Sequence, residues 1–342
     1  MGSIAIVQTA FIGDVILATP LFEAARRSCP DERIIAVVRS GCENLVENNP
    51  FVDTIETWDK RGADRGIVGL IRFAGRLRRL GVTTALIPHR SFRTALALFL
   101  SGTQTRIGFA KGGGTFLHSA RIPYRTDVHE VDRNLMLAEA LDWDMGSVEP
   151  SVYPDDSDRN IVTDILTGIE EFCVLAPGSV WATKQWPGEY FAELGSVYAQ
   201  RGQGVVISGA ASDRDVCRFV ADGVSGAVNA CGKLTLRQSF ELYRRARFVL
   251  TGDTAPQHLA AAAGTWTFSI FGPTVRDFGF WPYTDRSVVI EESMDCRPCS
   301  VHGPRACPIG THACMRNISP GRIVSVIDEA LEREHNQATA ET

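Results

Sequence analysis

What most restricts this 342-residue chain is a rhythm. Short β-branched runs alternate with amphipathic segments, and after one interruption the pattern starts again. The first series predicts a strand at Ile4–Gln8, a helix at Val15–Ser28 and a strand at Ile34–Val38. It continues with helix Glu43–Asn48, strand Thr54–Thr57, helix Ile67–Leu80, strand Thr84–Ile87 and helices Phe92–Leu100 and Val131–Leu141. Strands that alternate with helices build βαβ units around a parallel sheet. Their apolar runs lack strict alternation, as expected when helices cover both faces.

The interruption is Glu149-Pro150-Ser151-Val152-Tyr153-Pro154-Asp155-Asp156-Ser157, whose prolines and acids mark a linker. Beyond it the reading predicts helix Arg159–Leu166, strand Phe172–Leu175, helix Tyr190–Arg201, strand Gly204–Ile207 and helix Arg214–Asp222. Strand Ala227–Asn229, helix Leu236–Arg245, strand Phe248–Thr251, helix Gln257–Ala263, strand Thr265–Ile270 and a last helix Pro320–Glu334 complete it. The length suits two cores rather than one. The expected domains are 1–155 and 156–334, with a polar tail at 335–342. In such α/β sheets ligands sit beyond the carboxyl ends of the strands.

Several classes drop out. With 35 Lys and Arg against 40 Asp and Glu, the chain lacks the basic excess of a nucleic-acid binder. At 44% hydrophobic it is no disordered chain. Met1-Gly2-Ser3-Ile4-Ala5-Ile6-Val7 has no basic leader region, and the uncharged stretch Thr254–Val275 is broken by Pro256, Gly264, Gly272 and Pro273. Nine cysteines, an odd count with five scattered singly, fit a reducing cytosol. The expectation is a soluble cytoplasmic protein. No Gly-x-Gly-x-x-Gly follows the first strand, and Gly226–Lys233 has the wrong spacing for a P-loop, so dehydrogenases and P-loop enzymes are disfavoured.

Four constellations remain. Gly13-Asp14 ends the turn after the first strand, where Asp14 is either a helix N-cap or a general base. Pro177-Gly178-Ser179 followed by Lys184 is either a phosphate-holding turn with its cation or an ordinary βα loop with a solvated lysine over a packed Trp186. Gly252-Asp253-Thr254-Ala255-Pro256-Gln257-His258 opens an Ala-rich helix whose N-terminus suits a diphosphate. There Asp253 and Thr254 are equally readable as caps, and His258 as a structural histidine. Cys296, Cys299, Cys307 and Cys314 lie within nineteen residues and offer either a tetrahedral zinc site or buried reduced thiols.

Together and in order these segments resemble the ADP-heptose:lipopolysaccharide heptosyltransferases, glycosyltransferase family 9. The resemblance is carried by Ile12-Gly13-Asp14-Val15 with Thr19-Pro20, and by Pro177-Gly178-Ser179 with Lys184-x-Trp186-Pro187. Cys231-Gly232-Lys233-Leu234-Thr235-Leu236 and Gly252-Asp253-Thr254 with His258-Leu259-Ala260 add to it. The block around Cys307-Pro308-Ile309-Gly310-Thr311-His312 is similar to the second-heptose branch.

This likeness implies a GT-B fold, two Rossmann-like doubly wound parallel-sheet domains facing a central cleft, and inverting transfer that requires no cofactor. It implies that the N-terminal domain binds a lipid-anchored core oligosaccharide acceptor and the C-terminal domain the ADP-heptose donor. Asp14 is then the base beside Gly13. Lys184 and Ser179 hold the donor phosphates, Asp253 faces the sugar, Thr254, Ala255 and His258 lie at the diphosphate, and Gly178 and Gly252 belong to the donor site. From its place in the loop after strand Gly204–Ile207, and not from the likeness, Asp213 is the candidate for the ribose. Arg90, Arg93 and Arg106 are candidates for acceptor anions, with plain surface arginines as the alternative. A monomer with a peripheral membrane contact and no nucleic-acid partner is expected. The alternatives are a transferase for another nucleotide sugar and a catalytically silent nucleotide-sugar binder.

Overall fold

A computed structural model describes residues 2–340, which divide into two compact units, 2–155 and 156–340. The first unit runs β1 (Ser3–Gln8), α1 (Ile12–Leu17), α2 (Pro20–Ser28), β2 (Arg33–Arg39), α3 (Glu43–Val46), β3 (Thr54–Trp58) and α4 (Gly66–Arg79). It continues with β4 (Val82–Ile87), α5 (Phe92–Ser101), β5 (Thr105–Phe109), β6 (Ala120–Ile122) and α6 (Glu130–Glu139). Its six strands lie in the order β3-β2-β1-β4-β5-β6, all parallel where paired.

The second unit runs α7 (Asp156–Ile165), β7 (Phe172–Ala176), α8 (Gly188–Gln200), β8 (Gly204–Ile207), α9 (Arg214–Asp222), β9 (Val228–Asn229) and α10 (Leu236–Arg245). Then follow β10 (Phe248–Gly252), α11 (Ala255–Ala262), β11 (Trp266–Phe271), β12 (Ser287–Glu291), α12 (Ala313–Arg316) and α13 (Pro320–Ala340). Its sheet order is β12-β11-β10-β7-β8-β9, also parallel. Counted from each unit's own first strand, both orders read 3-2-1-4-5-6, the doubly wound Rossmann arrangement. In each sheet the winding reverses beside the first strand, between β1 and β4 and between β7 and β10.

The local sequence explains these elements. All six residues of β1 are buried, because helices cover both faces of the sheet. In α4, Leu70, Phe73, Ala74 and Leu77 recur at helical spacing and are buried, and Leu70, Phe73 and Leu77 join Val7, Val37, Ala85 and Trp58 in one core cluster. Trp58 and Phe73 stack with ring centres 4.2 Å apart. Thr235 caps α10 by accepting the Gln238 N–H while the Gln238 side chain accepts the Thr235 N–H. Pro320 opens α13 at a position that needs no amide hydrogen.

Some expectations need revision. The helix expected at Val15–Ser28 is two helices, because Pro20 cannot continue a ladder and restarts it. The last helix runs past the expected Glu334 to residue 340, and Glu341 and Thr342 lie outside the described residues. Strands β5, β6 and β12 fall where no strand was expected. No described helix is long and apolar enough to cross a membrane.

Candidate active site

Parallel strands put all their carboxyl ends on one side, so each unit gathers the loops after its strands there. In the first unit Asp14 follows β1. It is not the N-cap expected of it but the third residue of α1, where its carboxylate accepts the Phe11 N–H at 3.1 Å. That bond orients the side chain at the helix start without needing the negative charge.

Two residues that sequence reasoning did not single out join the same end. Lys60, after β3, donates to Thr9 Oγ1 at 2.7 Å and Thr94 Oγ1 at 3.1 Å, and its ammonium lies 4.3 Å from the Trp58 ring centre. His89, after β4, meets Thr9 Oγ1 through Nδ1 at 2.9 Å and Lys60 Nζ at 3.5 Å. No described carboxylate forms an ion pair with Lys60. Burial, with the nearby Arg93, pulls Lys60 down to about 7. Burial, then Lys60 and Arg90, pulls His89 down to about 3, so its imidazole is neutral and able to accept at Nδ1.

Glu130, at the start of α6, is buried and ion-paired with Arg133. Burial raises its carboxyl to about 7 against the pull of Arg133, and the charge of Asp14 raises it further. Helix α6 is tied to α1 by the Asn134 amide, which donates to the Leu17 carbonyl at 3.2 Å.

The arginines divide. Arg90 is exposed and lies over the Tyr124 ring, 4.1 Å from its centre. Arg93 instead donates to the carbonyls of Lys60, Asp64 and Gly66, holding the β3–α4 loop. Arg106 similarly donates to the carbonyls of Leu117, Thr103 and Gln104.

In the second unit Lys184 and Asp253 meet. Lys184 Nζ donates to Asp253 Oδ2 at 2.5 Å and to the Asp253 carbonyl at 3.2 Å. Their side chains are only 11% and 9% exposed, so each depends on the other for its charge. Two further donors fix the carboxylate: Thr274 Oγ1 to Oδ2 at 2.7 Å and Gln257 Nε2 to Oδ1 at 2.9 Å. Gln257 also donates to the Phe280 carbonyl at 3.0 Å and lies 3.4 Å from His258 Nε2. Neither Gln257 nor Thr274 was foreseen, because their signal is a spatial partner and not a motif.

Asp253 does not cap α11. The N-cap is Thr254, but its hydroxyl turns back to Thr251 Oγ1 at 3.2 Å and makes no cap bond, leaving the first turn at Ala255 to its backbone donors. Gly252 is required by close approach, since a Cβ there would lie 2.7 Å from the Lys184 carbonyl. Gly178 lies against Asp213 in the same way, with a Cβ 2.3 Å from its carboxyl carbon, while Asp213 accepts the Ala210 N–H at 2.9 Å. Ser179 Oγ accepts the Trp181 N–H at 3.1 Å. Trp186 is buried beneath the loop and donates to the Ile318 carbonyl at 2.9 Å.

The cysteine segment packs onto the Lys184 loop. Thr183 donates to the Pro304 carbonyl, His312 Nε2 meets the Thr183 carbonyl at 2.9 Å, and a Cβ on Gly303 would lie 3.5 Å from Lys184 Cγ. Arg297 pins the segment's start, donating to the carbonyls of Phe271, Gly272, Thr274 and Glu292.

The four thiols line one hollow of about 260 Å³ but do not converge as zinc ligands. Among the described residues no three His, Cys, Asp or Glu side chains are gathered as a metal's ligands would be. Cys299 donates to the Cys296 carbonyl, burial raises the thiols of Cys299 and Cys314, and backbone N–H groups led by His312 lower that of Cys307. The zinc reading of Cys296, Cys299, Cys307 and Cys314 is therefore not carried forward. The segment instead buttresses Lys184.

Two doubly wound parallel sheets in succession, each wound 3-2-1-4-5-6, are the architecture of the GT-B class. A family model for glycosyltransferase family 9 (heptosyltransferase) matches residues 70–308, and the chain belongs to that family. It is 29% identical over 308 residues to lipopolysaccharide heptosyltransferase 1 of Pseudomonas aeruginosa, covering 86% of this chain and 85% of that protein. It is 22% identical to lipooligosaccharide heptosyltransferase 2 of Haemophilus influenzae, across 97% of this chain and 100% of that one. Among solved structures, a glycosyl transferase of family 9 from Veillonella parvula superposes with a TM-score of 0.86 at 20% identity, over 97% of this chain and 98% of that one. The E. coli ADP-heptose lps heptosyltransferase II superposes at 0.81, also at 20% identity, over 98% of this chain and 100% of that one.

Proposed function

We propose that the protein transfers heptose from ADP-heptose to an acceptor sugar of the lipopolysaccharide inner core. The observation that carries this is the buried Lys184–Asp253 pair beside the open first turn of α11, in a chain of this family. The relatives named for lipopolysaccharide and lipooligosaccharide, and the structural neighbour named for ADP-heptose, support the choice of acceptor and donor.

In this reading Asp14 takes the proton of the acceptor hydroxyl. The freed oxygen bonds to the anomeric carbon as the bond to the diphosphate breaks, and the configuration inverts. The departing ADP gains negative charge, which Lys184 and the backbone N–H groups of α11 stabilise. Asp253 holds Lys184 in place and, with Gly252, Thr254, Ala255 and His258, frames the sugar and diphosphate. Gly178, Ser179 and Asp213 frame the nucleotide, with Asp213 at the ribose. Lys60 and Arg90 receive the acceptor's anionic groups beside Gly13. The protein acts as a cytoplasmic monomer.

The test is ADP release from ADP-heptose with a heptose-deficient lipopolysaccharide core. Release that needs the acceptor and collapses in Asp14→Asn supports the reading. Acceptor-dependent release undiminished in that variant removes Asp14 as the base, and no release from folded protein removes the donor and acceptor assignment.

A further inference from the structure

The transfer reading asks the second unit for more positive charge than its buried pair supplies. Lys184 is ion-paired with Asp253 at 2.5 Å, so the two together bring no net charge. The backbone N–H groups of α11 carry only partial charges. A nucleoside diphosphate held beside them still wants a full cation, and more so as it leaves.

The loop after β11 offers one. Its start is fixed twice: Thr274 Oγ1 donates to Asp253 Oδ2 at 2.7 Å, and Arg297 Nη2 donates to the Thr274 carbonyl at 2.7 Å. Its far side is fixed by Gln257 Nε2, which donates to the Phe280 carbonyl at 3.0 Å and to Asp253 Oδ1 at 2.9 Å. Both ends of the loop are thereby tied to one carboxylate. Between them a tight turn at Arg276–Phe278 closes with the Gly279 N–H on the Arg276 carbonyl at 2.9 Å. Gly279 takes the left-handed φ of 85° that this reversal needs. Arg276 lies over the ring of Trp281, the residue after Phe280, with its Cζ 5.0 Å from the ring centre.

Arg276 is exposed, and neither the adjacent Asp277 nor any other described carboxylate forms an ion pair with it. An aromatic face holds a guanidinium by its flat side and leaves its N–H edge to a ligand. Such a planar fork matches two oxygens of a phosphate. Asp253 is read as facing the sugar, so the loop tied to it stands at the sugar side of the diphosphate. We propose that Arg276, seated on Trp281, is a donor-binding residue: it takes the sugar-side phosphate of the nucleoside diphosphate and supplies the full charge that Lys184 and Asp253 together lack. This rests on the transfer reading and adds to it a residue that no sequence motif marked.

The experiment is calorimetric titration of the full chain with ADP and with AMP, for wild type and R276Q. AMP lacks the sugar-side phosphate, so it separates a phosphate contact from a general loosening of the loop. The expected result is ADP binding about tenfold weaker in R276Q, with AMP binding changed by less than about twofold. The side chain is exposed, so the variant keeps its fold, which thermal unfolding verifies. Unchanged ADP affinity in R276Q overturns the proposal, and so does an equal loss for ADP and AMP, the mark of a structural role. Wild type that binds no ADP removes the donor reading and this inference with it, whereas tight ADP binding by both proteins removes this inference alone.

Discussion

The two units share a strand order and a ligand end, yet they treat a buried lysine in opposite ways. Lys184 has a carboxylate, two further donors on that carboxylate, and a loop packed against its stem. Lys60 has hydroxyls, an imidazole and an indole face, with no ion-paired acid. The first lysine is ion-paired and held in place before any ligand arrives. The second is pulled to about 7 and is matched only when an anion reaches it. One scaffold therefore yields a preset cation in one unit and an unmatched one in the other. The net charge follows the same division: 18 basic against 18 acidic residues in the first unit, 17 against 22 in the second.

The largest effect is expected from Asp14→Asn. An asparagine at this third helical position keeps the bond to the Phe11 N–H, so thermal unfolding should be nearly unchanged. Turnover should fall by ~10²–10⁴-fold, the usual worth of a positioned base. Near-normal turnover would leave the first unit without a catalytic role for this carboxylate.

Lys184→Met and Lys60→Met then set the two lysines against each other. Lys184→Met strands Asp253 as a buried charge and should destabilise by about 3 kcal/mol, the lower range for a broken buried pair. It should also weaken ADP binding by roughly 10–100-fold, read by calorimetry. Lys60→Met removes a buried cation with no ion-paired acid, so at pH 7 it should stabilise, by on the order of 1 kcal/mol. It should raise the acceptor KM more than it lowers kcat. Equal signs for the two stability changes would break the comparison.

A further effect is on pH. Because the folded pKa of His89 lies near 3, below the ordinary 6.5, the unfolded chain binds the extra proton first. Its contribution to stability is present above 6.5 and is lost as pH falls toward 3. His89→Gln should flatten that part of the stability curve, measured by thermal melts across this range. An unchanged slope would place the titration elsewhere.

Most of the alternation was legible because buried parallel strands are apolar runs that one sequence displays. The strands that escaped notice show why others are not. β6 has three residues at a sheet edge, and β12, the equivalent edge in the second unit, begins with Ser287 and ends with Glu291. Edge strands are half-solvated and lose the apolar signal. In the same way Asp14, Lys184 and Asp253 stood out beside glycines and prolines that mark strand ends. Lys60 and His89 sit alone in loops 29 residues apart, and only the fold makes them neighbours. The break before Pro20 was in plain view but was overridden by the helical spacing around it.

The contact between Gly252 and the Lys184 carbonyl carries a consequence for how this protein can change. Two loops nearly seventy positions apart touch backbone to backbone, with no side chain able to yield. On the proposed reading, a lineage exploring new donors varies the residues that frame the sugar. A methyl group at position 252, by contrast, would lift the lysine's loop and disturb the ion pair in the same event. The adaptable part of this pocket is thus hinged on one point that evolution cannot decorate.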